Sequence, residues 1–222
     1  MRKRTHLIKL VHGFLPTNSK LHRHDPIRSL CPGCKRAKED WCHIFKCSTP
    51  SRSDWRTAAI RSIDQKCESL QTQPELRTLL ITAITTWTRW EEADHSQPFT
   101  ITPSTAATTA IRRLIARQND IGWQQLFLGR FCVDWSDIQE AYYATMINSK
   151  EGKKRSGQRW QHSVISEIWS QWFLLWEMRN KDLHGATENA RTRAEREEVE
   201  RTLRDLYDLR EQMEPSVQQL LC

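Results

Sequence analysis

Between Cys31 and Cys47, in CPGCKRAKEDWCHIFKC, four residues have the types and spacing to hold a metal ion. Cys31 and Cys34 form a Cys-x-x-Cys knuckle that lets two thiolates face one ion. His43 follows after eight intervening residues, and Cys47 after three more. Three thiolates and an imidazole make a tetrahedral set suited to zinc, with no position left open for water. The chemistry expected of such a site is structural. Cys42 sits beside His43, so a four-cysteine set of Cys31, Cys34, Cys42 and Cys47 is the alternative; His43 is the preferred ligand. Pro32 and Gly33 suit the turn, proline through its preset φ and glycine through its tolerance of positive φ.

Seven cysteines would also serve a disulfide framework, but the opening MRKRTHLIKL carries no long apolar run of the kind a signal peptide needs. The expectation is an intracellular, reducing compartment rather than secretion, where a tight Cys/His cluster binds metal rather than oxidises. Cys67, far from the cluster, reads as a core thiol.

Charge points to a partner. Residues 1–40 hold ten Lys/Arg against three Asp/Glu, a surplus of seven, while residues 41–222 hold 24 of each. A basic block beside a zinc knuckle suits a phosphate backbone, through direct contacts and counterion release. Lys3, Arg4, Lys20, Arg23, Arg28, Lys35 and Arg36 are the expected contacts to RNA or DNA, with a solvated or nuclear-targeting basic tail as the competing reading. With 222 residues, 38% of them hydrophobic, ten tryptophans and a mean hydropathy of -0.70, the chain is long enough for a core and polar outside it. No run of about 18 apolar residues is present, so no membrane partner is expected.

The elements that must position these residues read as helices. THLIKLVHGF (5–14) has apolar Leu7, Ile8, Leu10, Val11 and Phe14 and stops at Pro16. After the knuckle a helix is expected from about Ser53, with Trp55, Ala58, Ala59, Ile60 and Ile63 apolar. Another opens at Pro74 and runs past Trp87 to Trp90. Ser104 is the expected cap of a helix to Gln118, Trp123–Leu128 a short helix ended by Gly129, and Ser136 the cap of Asp137–Ile147. NSKEGKKRSGQ (148–158) reads as a charged linker and a second basic patch, with Lys150, Lys153, Lys154, Arg155 and Arg159. Trp160, Val164, Ile165, Ile168, Trp169, Trp172 and Trp176 then form a stripe at helical spacing, read as a core seam in a helix ending at His184-Gly185. Thr187 to Glu214 is dense in charge, with Val199, Leu203, Leu206, Tyr207 and Met213 near one stripe and Pro215 closing it. The fold class is therefore mostly all-α: a small CCHC zinc-knuckle module followed by a multi-helix domain. The expected divisions are 1–50 (basic helix and knuckle), 51–147 (helical domain), 148–158 (linker) and 159–222 (two long helices).

LVHGFLPTNSKLHRHDP, the knuckle and SRSDWR together resemble the zinc-binding region that follows the polymerase in many non-LTR-type reverse transcriptases. Leu15, Pro16 and Thr17 match that family's turn, Cys31, Cys34, His43 and Cys47 its ligands, and Glu39 and Trp55 its flanks. GWQQLFLGRFCVDW and WEMRNKDLHG resemble the helical tail seen after that region in retroelement-derived reading frames. The resemblance implies non-catalytic handling of element RNA or target DNA near a polymerase, with this chain as the C-terminal portion of a larger protein and Met1 an internal methionine. No paired-aspartate polymerase turn and no P-D…(D/E)-x-K endonuclease pattern is found. Two competing functions remain. Arg179-Asn180-Lys181-Asp182-Leu183-His184 has the R-N-x-x-x-H form of the HEPN helical ribonucleases, in which the His is the acid/base and the Arg stabilises phosphate charge. The other is a helical protein-interaction module in which residues 187–214 pair with a second copy or with a polymerase domain.

Overall fold

A computed structural model describes residues 2–89, 98–146, 155–185 and 188–208. Ten helical segments and no strand occur among them, so the all-α class holds. An isolated antiparallel bridge, Leu30 to Lys38, closes the knuckle. Contacts divide the chain into two compact units, 1–176 and 177–222.

In the first unit, helix α1 (Arg2–Val11) ends at Gly13, whose φ is +69°. Gly13 donates its N–H to the Leu10 carbonyl and Phe14 to that of Lys9, the paired closure of a glycine-terminated helix. This termination comes three residues earlier than periodicity suggested. Phe14 consequently leaves the helix and stands 73% exposed, whereas Leu10 and Leu15 are buried. A one-turn helix α2 (Asn18–Leu21) and helix α3 (Trp41–Lys46) bracket the knuckle.

Helix α4 (Pro50–Ser69) begins a turn earlier than the expected Ser53, because Pro50 occupies the first helical position, where its missing N–H has no partner to lose. Ala58 faces water; Trp55, Ala59, Ile63 and Cys67 face the core, and burial pushes the Cys67 thiol up to about 11. Helix α5 (Pro74–Arg89) packs on α4 through Leu76, Leu80, Ala83 and Ile84, and Arg77 clasps Asp64 of α4 with two hydrogen bonds of 2.6 and 2.8 Å. Trp90 lies outside the described residues.

Helix α6 (Thr109–Ile121) is capped by Thr108, whose hydroxyl accepts from the Ile111 N–H at 3.3 Å, and not by Ser104. Ser104 instead offers its carbonyl to Arg112. The segment Trp123–Leu128 is a 3-10 helix ended by Gly129 at φ +78°. Helix α7 (Asp134–Thr145) starts before Ser136, whose hydroxyl donates to the Val133 carbonyl inside the first turn rather than capping from outside it; Ile147 is outside the described residues.

Helix α8 (Gly157–His184) takes in the end of the expected linker. Gly157 touches α7 so closely that a Cβ there would lie 1.9 Å from the Ser136 carbonyl oxygen, so only glycine permits the approach. Lys150, Lys153 and Lys154 lie outside the described residues. Trp160, Val164, Ile168, Trp172 and Trp176 are buried, as a core seam requires, while Trp169 is half-buried over Gly129. Phe45 of α3 lies in an aromatic cluster with Trp55, Trp87, Phe127 and Trp172, at ring separations of 4.5 to 6.0 Å. The knuckle helix thus buries Phe45 in a core built by helices that follow residue 50.

In the second unit, α8 ends at Gly185, at φ +87°, with its N–H bonded to the Lys181 carbonyl. Helix α9 (Glu188–Asp208) carries i,i+4 pairs Arg193–Glu197 and Arg196–Glu200, and its Val199, Leu203 and Tyr207 are exposed. Met213 and Pro215 fall outside the described residues. No described helix is long and apolar enough to cross a membrane.

Candidate metal centre

The knuckle loop is drawn into shape by its backbone. Cys31 donates its N–H to the Ala37 carbonyl and accepts at its own carbonyl from Lys35, both at 2.8 Å. Gly33 does not take the positive φ that its identity offered; Lys35 does, at +53°. The turn reverses after the second cysteine, so the left-handed residue is the one that follows it. The N–H groups of Gly33 and Cys34 point at the Cys31 sulfur, and those of Arg36 and Ala37 at the Cys34 sulfur.

The second pair of ligands arrives on α3. Asp40 caps this helix, accepting the His43 N–H at 2.7 Å, which fixes the first turn and with it the imidazole. Cys47 terminates the same helix. Arg56 of α4 donates to the carbonyls of Phe45 and Cys47 at 3.1 and 2.7 Å, closing the helix end.

Behind the knuckle, the fully buried Glu39 accepts the Asn18 N–H at 2.6 Å, and the Asn18 side chain donates to the Leu30 carbonyl. Leu15, Thr17 and Trp55 are buried as well, and the Trp55 indole donates to the Gln171 carbonyl at 3.1 Å. The turn and flanks noted in the sequence are therefore the parts that seat the knuckle on the helices.

The ligand atoms of Cys31, Cys34, His43 and Cys47 all lie within 4.8 Å of one another, a group able to hold a metal ion, and Cys42 is not in it. Cys31 and Cys47 sulfurs are 3.9 Å apart, and the Cys34 sulfur is 3.3 Å from His43 Nε2. Tetrahedral bonds of about 2.3 Å to sulfur imply sulfur–sulfur separations of about 3.8 Å, which the first pair matches. The same 3.9 Å is nearly twice a disulfide bond. Donor chemistry and spacing thus both fit a four-coordinate ion.

The electrostatics fit a cation too. The hydrogen bond between Cys47 and Cys31 pulls the Cys47 thiol down and pushes Cys31 up, with burial raising Cys31 further. Burial would raise Cys34, but the Arg36 and Ala37 N–H groups bring its thiol below the ordinary value. The bond to Cys47 raises the His43 imidazole against the effect of burial.

The basic residues of the first forty positions are mostly in water. Arg4, Lys20, Arg23, Lys35 and Arg36 are exposed; Arg28 is half-buried and paired with Asp25 at 3.3 Å. Lys20 donates its ammonium to the Gly13 carbonyl. The side chain of Lys3 is outside the described residues. All three acids of residues 1–40 are engaged: Glu39 on Asn18, Asp40 on α3, and Asp25 on the Ile27 and Arg28 N–H groups and the Arg28 side chain.

Arg179 is 3% exposed, with Nη1 3.3 Å from Asn180 Oδ1, and His184 is half-buried at the end of α8. Sequence reasoning had not assigned Asp40, Asn18 or Arg56 a part in the centre. The Asp-x-x-His spacing of a capped helix would have revealed Asp40; Arg56 leaves no local signal, because its targets are backbone carbonyls. No protein-family model, curated protein or solved structure matches this chain.

Proposed function

We propose that this chain is a zinc-stabilised nucleic-acid-binding module without a catalytic centre, the C-terminal portion of a reverse transcriptase of non-LTR retroelement type. The observation that carries this reading is the convergence of Cys31, Cys34, His43 and Cys47, reached through forty residues whose cations outnumber their acids. Three sulfurs and one imidazole favour zinc over harder ions. Four protein ligands fill a tetrahedron, so the ion's work is to hold residues 26–50 together, a segment too short to fold on apolar burial alone.

The cations then act on phosphate. With every acid of the first forty residues bonded within the fold, Arg4, Lys20, Arg23, Lys35 and Arg36 present their charge outward. Each phosphate neutralised on a single strand contributes about 0.7 to the slope of log affinity against log salt. The deciding experiment pairs metal analysis with oligonucleotide titration at several salt concentrations. One zinc per chain and an affinity falling steeply with salt support the proposal. Zinc-free protein with an intact fold, or no nucleic-acid affinity at low salt, overturns it.

A further inference from the structure

The helix closure at the end of α1 leaves an aromatic ring in water on a turn whose backbone is bonded to two lysines. In a glycine-terminated helix the residue after the glycine commonly buries itself against the residue five before it, when that residue is apolar. Here the two positions are Phe14 and Lys9, joined by the Phe14 N–H to Lys9 carbonyl bond. Lys9 is itself exposed, and Phe14 is 73% exposed, with no ring contact among the described residues. From the other side Lys20 donates its ammonium to the Gly13 carbonyl, which brings a second cation to the same turn. His12, next to Gly13, is exposed. A Cβ added at Gly13 would meet nothing within 4 Å, so the space around the turn is open.

We infer that Phe14 is a stacking platform for an unpaired base, and that single-stranded nucleic acid, not duplex, is the partner of this basic region. The inference rests on the nucleic-acid reading above and narrows it. An exposed ring on a turn that lysines adjoin through the backbone matches how single strands are bound: the aromatic face takes a base, and nearby ammonium groups take phosphates. In a duplex the bases are already stacked and the ring has no face to meet. Most large apolar residues of this unit are buried, and Phe14 is the most exposed aromatic ring among the described residues.

The test is a fluorescence-anisotropy titration of full-length protein with three labelled probes: an oligothymidine, an abasic strand of the same length and a duplex. Phe14→Ala should weaken oligothymidine binding by about 5- to 150-fold, the worth of one stacked base, with the salt slope unchanged. Phe14→Tyr should restore it, and Phe14→Ala should leave abasic-strand binding as in the wild type. Lys20→Ala should instead lower binding to both strands and flatten the slope by about 0.7. Equal wild-type affinity for strand and duplex, with Phe14→Ala unchanged on both, overturns this inference alone and leaves backbone binding standing. Failure of the wild type to bind any of the three probes overturns the nucleic-acid reading itself.

Discussion

Two irregular stretches of this chain are ordered by opposite means. The knuckle, Leu30 to Cys47, converges four ligand atoms on one point. The connection from Gly122 to Val133 converges on one side chain, the fully buried Gln118. Its Oε1 accepts the Cys132 N–H and the Trp135 indole N–H at 3.1 and 3.0 Å, and its Nε2 donates to the Gly122 and Arg130 carbonyls at 3.3 Å each. Next to it the buried Asp134 carboxylate takes Arg113 and Arg117 at 2.6 and 3.0 Å. Both stretches solve one problem, that buried backbone without a ladder must find partners. One gathers side chains that could hold an ion from outside the chain; the other is complete within it.

The largest effect that would sharpen this contrast is metal removal. Chelation, or Cys34→Ser, should expose the amides of residues 29–47 to exchange at nearly unprotected rates while those of 118–135 stay protected. Equal loss in both stretches would erase the distinction. Gln118→Met, similar in volume, strips two buried N–H groups and two part-buried carbonyls of their partner and should cost about 3–5 kcal/mol in denaturant unfolding, with metal stoichiometry unchanged.

Asp134→Asn should cost about 2 kcal/mol near neutral pH, since hydrogen bonds to charged groups are the stronger kind. Burial alone would raise the Asp134 carboxyl, yet Arg113 and Arg117 bring it below the ordinary value. A carboxyl lowered on folding stabilises fully above its unfolded pKa of about 3.9 and loses that contribution as pH falls through the folded value. Wild type and variant should therefore converge in melting temperature as acid titrates from about pH 4 downward; a constant gap would mean that the charge is not what matters.

Smallest is Lys35→Gly. Relief of the left-handed backbone, about 1 kcal/mol, is offset by the freer unfolded chain at about 0.4–1 kcal/mol, so stability should change by less than about 1 kcal/mol. A large loss would show that the Lys35 side chain, rather than its backbone, holds the turn.

Much of this was legible from the residues. The ligand set fits within seventeen residues, and α5 and the Trp160–Trp176 seam announce themselves by spacing. The caps were harder. Thr108 and Ser104 are both plausible ends of one helix, and only Thr108 has its hydroxyl on an N–H. Phe14 fits the apolar periodicity of α1 but is exposed, because the helix closes at Gly13 before the pattern runs out.

The sequence by itself determined what depends on near neighbours: helix periodicity, the Cys-x-x-Cys turn and the excess charge of the first forty residues. Tertiary structure decided what depends on partners far along the chain. It brought Arg56 to the end of α3, placed Phe45 against Trp172, let Gly157 touch Ser136, and bonded Glu39 to Asn18. Local periodicity reflects backbone geometry that every residue shares. A buried hydrogen bond or ring contact between distant residues leaves no repeating trace, because any polar or apolar side chain of the right reach would read the same until the chain has folded.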